Sequence, residues 1–329
     1  MANPVVYPAN LQWLGIGKEA VAYGTAATVP AYWIPIVDPK WKPNQSMLKD
    51  DALRGDMATT HQQVAGNRYD TLDFKSYLYL DSLYLTMLNI LGNTDTVTGA
   101  SDPYTHKTSL KNTGNGQPTS YTLWLSTGGA ECWQMTGCQL ATAEVDIPAE
   151  DMASQQVQWV GLPATVVTPP SNTPSTAKPW AGWNTVIKLA TVAASTYSSA
   201  KITMKRPTVP IFTADGNQAP YMIFAGPLDV TGELVAVYQG LAVAPTDLAN
   251  YIANTQPALT IQISPVGDVT HNGIWQFSVV GYDSVEVSGS AGKWMEVTAQ
   301  FEALANSTDA LGGGQSPVMY QQKDAVATY

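Results

Sequence analysis

Two cysteines, three histidines and one glycine-containing stretch are the places where this chain of 329 residues could carry covalent, metal or phosphate chemistry. Cys132 and Cys138 stand six residues apart in a run that reads as a strand, and an extended segment of that length holds their Cα atoms beyond disulfide reach. His61, His106 and His271 fall singly, with no companion at metal-ligand spacing. These five read as buried or surface thiols and solvated histidines, in a reduced compartment. Residues 15–20, GIGKEA, contain GxGK but not the GxxxxGK[ST] of a phosphate loop, and no suitable apolar strand precedes them. An enzyme would need a cluster such as a carboxylate pair in a cleft, whereas the acidic residues fall mainly on the wet faces of strands. The expectation is a chain without catalysis, cofactor or metal.

Composition narrows the class further. Hydrophobic residues make up 45% and charged residues 13%, ample for sizeable cores, and the length suggests roughly two domains. Net charge is −10 and no basic cluster exists, so a surface that grips nucleic acid by neutralising phosphates is not expected. The start lacks a basic region followed by an apolar core, and no run approaches a membrane span. Synthesis in a cytoplasm is expected.

The elements are organised around a duplication. Residues 132–162 align without a gap on residues 274–304, 142 further along, with identities at Trp133/Trp275, Gln134/Gln276, Glu144/Glu286, Val145/Val287, Ala149/Ala291, Gln158/Gln300 and Leu162/Leu304. Met295, Val297, Ala299, Phe301 and Ala303 alternate with Glu296, Thr298, Gln300 and Glu302, the period-2 signature of a strand with one buried face. The first copy does the same through Ala153, Val157 and Trp159, with Gln155 as the one break. An alternating run precedes each, so both copies end in a hairpin.

In chain order, residues 12–36 read as strand, turn and strand. Residues 38–67 are polar, interrupted by Pro39 and Pro43 and without periodicity; they read as a long loop, either floppy or an arm that orders against a partner. Residues 68–80 read as a strand. Asp81 or Ser82 then caps a helix with Leu83, Tyr84, Met87, Leu88 and Leu91 on one stripe, ended by Gly92. Residues 119–126 are a further strand. A Pro-rich linker covers 163–179. The second copy repeats the order with strands at 228–239 and 258–264 and a short helix capped by Thr246 or Asp247. The domains are thus expected at 1–162 and 180–305, with 306–329 an extended C-terminal arm.

The opening QWLGIGKEAVAYGTAATVPAYWIPI, the polar stretch after it, DFKSYLYLDSLYLTMLNILG and the MTGC strand (residues 135–138) resemble the tail tube proteins of long-tailed bacteriophages, of the larger kind of about three hundred residues. The resemblance covers nearly the whole chain and rests on the succession of elements and the QWxGxGKExxxYGT start. It implies a mainly β protein of two tandem sandwich or barrel units, each with one short flanking helix. It further implies rings stacked around a channel for viral DNA, with tape measure, tail terminator and distal tail proteins as neighbours and no membrane. It carries over no site residues.

The residues add expectations to that picture. Glu144, Glu286, Glu296 and Glu302 recur on equivalent β-units, and at least part of this set is expected to line the channel, because an acidic bore does not hold phosphates. Asp38, Lys40, Trp41, Lys42, Asp50, Arg54, Asp56 and Asn67 mark the stretch expected to lock one ring to the next and to order only there. If each unit is one wall segment of a six-fold tube, three chains close a pseudo-hexameric ring; if both halves form one larger subunit, six do. A carbohydrate- or protein-binding β-sandwich is the alternative, since ten tryptophans and sixteen tyrosines can supply stacking platforms.

Overall fold

A computed structural model of the chain describes residues 6–92, 95–240, 247–268 and 270–329. The described residues are mainly β, with a twelve-stranded sheet, a seven-stranded sheet, a two-stranded hairpin and two α-helices. None of the described helices is long and apolar enough to cross a membrane.

One strand, Cys132–Pro148, serves two layers. Its first part pairs with Tyr121–Ser126 and Thr165–Val167, whereas residues 139–148 pair with Ser154–Gly161 and Tyr197–Lys205. The change of layer falls at Gly137, whose φ of 61° suits glycine and where a side chain would run into Tyr23 and Leu162.

The second layer is a continuous antiparallel wall. Its order is Val37–Asp50, Gln62–Tyr77, Ser154–Gly161, residues 139–148, Tyr197–Lys205, Asp229–Val237, Met295–Ala303 and Val280–Gly289. The last four strands repeat the order of the first four. The duplication holds at the level of register: Gln139 faces Val160 as Gly281 faces Glu302, and Thr142 faces Gln158 as Ser284 faces Gln300. Even the bulge recurs, between Leu140 and Thr142 and between Tyr282 and Ser284.

The opposing layers also match. Tyr32–Ile34, Trp13–Lys18, Tyr121–Ser126, residues 132–138 and Thr165–Val167 follow the same order as Val192–Ala194, Thr185–Leu189, Leu259–Ile263, Asn272–Phe277 and Met319–Asp324. Met319–Asp324 pairs on its other side with Tyr104–Ser109. The segment read as an extended arm after residue 305 therefore contains an interior strand, with Val318 and Tyr320 fully buried.

Helix α1 (Leu83–Leu91) is buried along its whole length and ends at Gly92, in the left-handed region at φ 71°, whose N–H donates to the Leu88 carbonyl. Ser82 occupies the N-cap without a side-chain hydrogen bond. Helix α2 (Asp247–Ile252) packs against Val280–Gly289, as α1 packs against Cys132–Pro148. Of its two candidate caps, Thr246 lies outside the described residues. Asp247 lies within the helix and accepts hydrogen bonds from the Tyr197 and Tyr282 hydroxyls.

One core cluster runs through both repeats, from Leu14 and Trp159 to Trp275, Phe301 and Tyr320. Gln155, the break in the first copy's alternation, faces that core at 1% exposure, with neither amide atom hydrogen-bonded. Arg206 ties the halves together: its buried guanidinium donates to the carbonyls of Gly226, Ile90 and Gly116 at 2.8, 3.1 and 2.9 Å. Burial lowers its pKa to about 10, so it stays charged at neutral pH.

The stretch 38–67, read as a loop, is instead most of a long hairpin, Val37–Asp50 against Gln62–Tyr77, paired within the single chain. Only residues 70–77 of it also meet Ser154–Gly161, so its far part projects past the wall. The second repeat has a counterpart that turns out differently. Beyond Tyr197–Lys205 and Asp229–Val237 that hairpin is interrupted at Arg206–Pro207 and Gly226–Pro227. It then resumes as Thr208–Ile211 against Met222–Ala225, lying on its own chain with Ile223 buried beside Ala141 and Val160.

Candidate functional site: a polar face across both repeats

In the wall, alternation sends Ala143, Val145, Ile202, Met204, Leu234 and Phe301 into the core and their neighbours out to solvent. Register aligns the outward residues in rows. One row is Lys75, Gln156, Glu144, Thr203, Thr231 and Glu302; the next is Tyr77, Ser154, Asp146, Lys201, Glu233, Gln300 and Ser284. Glu286 stands opposite Thr298 and Glu296 opposite Ser288 on the same side. The structure therefore brings Glu144, Glu286, Glu296 and Glu302 onto one face.

That face is mixed rather than uniformly acidic. Lys201 Nζ lies 2.8 Å from Glu144, and this contact raises the lysine's pKa. Gln300 donates to Glu233. Threonine, serine and glutamine fill much of the remainder, so the surface is hydrophilic and carries few unopposed cations. The sequence comparison missed Lys201 because it lies outside the aligned segments.

The residues of the projecting hairpin are spread along it. Lys40 faces Asp73 and Lys42 faces Thr71 across the ladder, while the Trp41 indole donates to Asp70 at 3.1 Å and stacks on Trp133. Asp50, Arg54 and Asp56 lie at the far end, where Arg54 pairs with Asp50. The Asn67 carbonyl accepts from Ser46. Leu53 and Met57 at the tip are almost wholly exposed.

The histidines and the glycine-containing stretch are held in structural contacts. His106 is buried between Asp95 at 2.7 Å and the Val326 carbonyl at 2.6 Å, and His271 bridges Asp268 and Asp102. His61 sits 3.7 Å from Asp56. Gly15 and Gly17 lie inside a strand, where a side chain at Gly15 would strike Pro30. Glu19, from the same motif, is buried and accepts from the N–H groups of Gly24 and Gly137, both at 2.8 Å, and from Thr122 and Ser120. Tyr23 donates to the Gly137 carbonyl and accepts from the Ile223 N–H. The GKExxxYG stretch is therefore a packing knot that holds the layer change of Cys132–Pro148.

Both cysteines are buried and free. Burial pushes the Cys132 thiol up to about 12, and burial together with nearby Glu19 pushes Cys138 well above its ordinary value. Thiolate is the reactive form, so labelling by a soluble thiol reagent at pH 8 is expected to be at least about a hundredfold slower in the folded chain than in denaturant. Rapid labelling of the native protein would contradict the burial.

This arrangement is a duplicated antiparallel β wall with one polar face. Residues 10–268 match the family model described as phage tail tube protein. The chain belongs to that family, and with it to the structural components of the virion tail. Comparison with curated proteins finds no match.

Proposed function

We propose that three copies close a pseudo-hexameric ring, that rings stack into the tail tube, and that the polar face of the wall lines the bore through which viral DNA passes at ejection. The observation that carries this reading is the wall itself: one chain supplies two successive four-strand segments of the same order and register, so a six-segment ring needs three chains. Six chains would be needed only if the two halves made one segment.

Hydroxyls, amides and carboxylates on that face, with Lys201 paired to Glu144, let a polyanion slide without counterion-releasing contacts. The hairpin with Leu53 and Met57 at its tip is the arm that reaches the next ring, whereas its counterpart in the second repeat is committed to its own chain. Tape measure, tail terminator and distal tail proteins are the neighbours, with assembly in the host cytoplasm. Against a glycan-binding sandwich, Trp124, Trp159, Trp180 and Trp275 are core residues, and the exposed Trp183 and Trp294 stand on separate segments.

Native mass spectrometry of dissociated rings tests the stoichiometry. Three chains of 35.2 kDa are expected, and six per ring would refute it.

A further inference from the structure

Two of the three histidines stand toward one end of the seven-stranded sheet, where the C-terminal strand stops. Met319–Asp324 lies between Asn272–Phe277, from the second repeat, and Tyr104–Ser109, which leaves the first repeat to join this sheet. The flanking strands are two spacings apart, about 10 Å, and make no ladder with each other. At the end marked by Asp324, however, the turns that lead into them meet. His271, immediately before Asn272, reaches Asp102, two residues before Tyr104, with Nε2 2.9 Å from the carboxylate. Its Nδ1 meets Asp268, which also accepts from the Thr270 hydroxyl and from the backbone N–H groups of Thr270 and His271.

An ionised carboxylate only accepts hydrogen bonds, so both ring nitrogens of His271 donate at once, and the charged imidazolium is the form with two N–H groups. Neutral imidazole has one. It can hold Asp102 or Asp268, but it turns a lone pair toward the other.

We propose that His271 is a pH-sensitive clasp over the C-terminal strand: charged, it fastens the turns on both sides of Met319–Asp324; neutral, it lets one of them go, and the end of the strand with the tail after it is free to fray.

The enclosed segment is one that needs fastening. Its last inward apolar side chain is Tyr320; after it the buried positions are Gln322 and Asp324. The end of the strand is therefore held by directional polar contacts and little apolar burial, the condition under which a segment opens locally. Asp324 accepts from the Val326 N–H and from Tyr329, whose ring lies against Tyr84 and His106 on the core side. His106 in turn meets the Val326 carbonyl and Asp95. Because Tyr104–Ser109 belongs to the first repeat and Asn272–Phe277 to the second, the clasp also joins the repeats at this end.

Among the described residues the other charged groups next to the clasp are on the enclosed strand. Lys323 stands beside Asn272 in the ladder, and Asp324 is turned inward. Burial works against the charge on His271, but hydrogen bonds to Asp268 and Asp102 outweigh it and raise its pKa above the ordinary value. His271 and Thr270 hold Asp268 well below the usual carboxylate range. The contribution of His271 is thus complete below about pH 6.5, its ordinary value, and is lost as pH rises through the raised one. That of Asp268 is complete above about pH 3.9 and fades only in stronger acid. The clasp is firm in mild acid and opens in alkali.

Hydrogen–deuterium exchange of the full chain, with rates corrected for the intrinsic pH dependence of amide exchange, tests this. Between about pH 6 and about pH 9, protection of residues 319–326 is expected to fall several-fold, while that of Met295–Ala303 in the wall holds. In His271→Gln, protection of 319–326 is expected to be low already at the acid end and to change little across the range. Asp102→Ala removes one arm of the clasp at an exposed position, and is expected to do the same and to lower the His271 pKa read by NMR. Constant protection of 319–326 in the unmodified chain would overturn the clasp. So would a fall that persists in full in His271→Gln, which would assign the dependence to His106, the other histidine on this segment.

Discussion

Tubes built from a chain carrying Glu296→Lys and Glu302→Lys are expected to retain double-stranded DNA that the unmodified tube lets pass. Both residues lie on the outward face of the wall with Glu144 and Glu286, Glu302 in the row of Glu144 and Glu296 opposite Ser288, and each substitution shifts the local charge by two units, repeated in every chain of every ring. Each phosphate neutralised adds about −0.9 to the slope of log affinity against log salt, so even a few new contacts per ring produce strong, salt-sensitive retention. These two positions give a cleaner test than all four. Glu144 is bonded to Lys201, and Glu286 lies on an edge strand of the wall, so neither reports on charge alone. Filter retention of labelled DNA at about 50 and 200 mM salt measures the effect, alongside the rate of genome delivery. Unaltered delivery together with no salt-dependent retention would place this face on the outside of the tube.

How much of this could be read from the sequence depends on which forces shaped each element. The duplicated β-unit was legible because a strand with one buried face writes its period into the side chains, and because a gapless offset preserves register: Val145 and Val287, Val157 and Ala299, Trp159 and Phe301 keep their faces in both copies. The projecting hairpin was not legible for the opposite reason. Over residues 43–69 most side chains on both faces are exposed, so pairing rests on backbone hydrogen bonds, which any residue but proline supplies, and no alternation is left to see. The four acidic positions could be assigned to wet faces from alternation alone. That they share one side of one sheet could not, because this depends on residues 139–148 pairing with Tyr197–Lys205 across the Pro-rich segment.

The C-terminal strand was hidden by buried polarity, and its removal is expected to be the most damaging change in the chain. In Met319–Asp324 (MYQQKD) the inward positions after Tyr320 are Gln322 and Asp324, so the sequence looks soluble. Both are satisfied internally: Gln322 donates to the Leu80 carbonyl at 2.7 Å, and Asp324 accepts from the Tyr329 hydroxyl at 2.6 Å. The segment beyond is anchored too, since the Val326 carbonyl meets buried His106 and Tyr329 stacks on Tyr32. Deleting residues 317–329 would strip Val318, Met319 and Tyr320 from the core, at about 1.5–3 kcal/mol each. It would also open the ladder between Asn272–Phe277 and Tyr104–Ser109 through the middle of the seven-stranded sheet. Those losses rival the whole stability of an ordinary domain, about 5–15 kcal/mol, so the truncated chain is expected to be insoluble or unfolded at 25 °C. Tyr320→Ala supplies a graded version, expected to cost roughly 3–5 kcal/mol, by analogy with other large aromatic truncations, and readable as a lowered midpoint in urea. A free arm would behave otherwise: a truncated chain that remains soluble and melts at the temperature of the full-length protein would show that the strand contributes nothing to the fold.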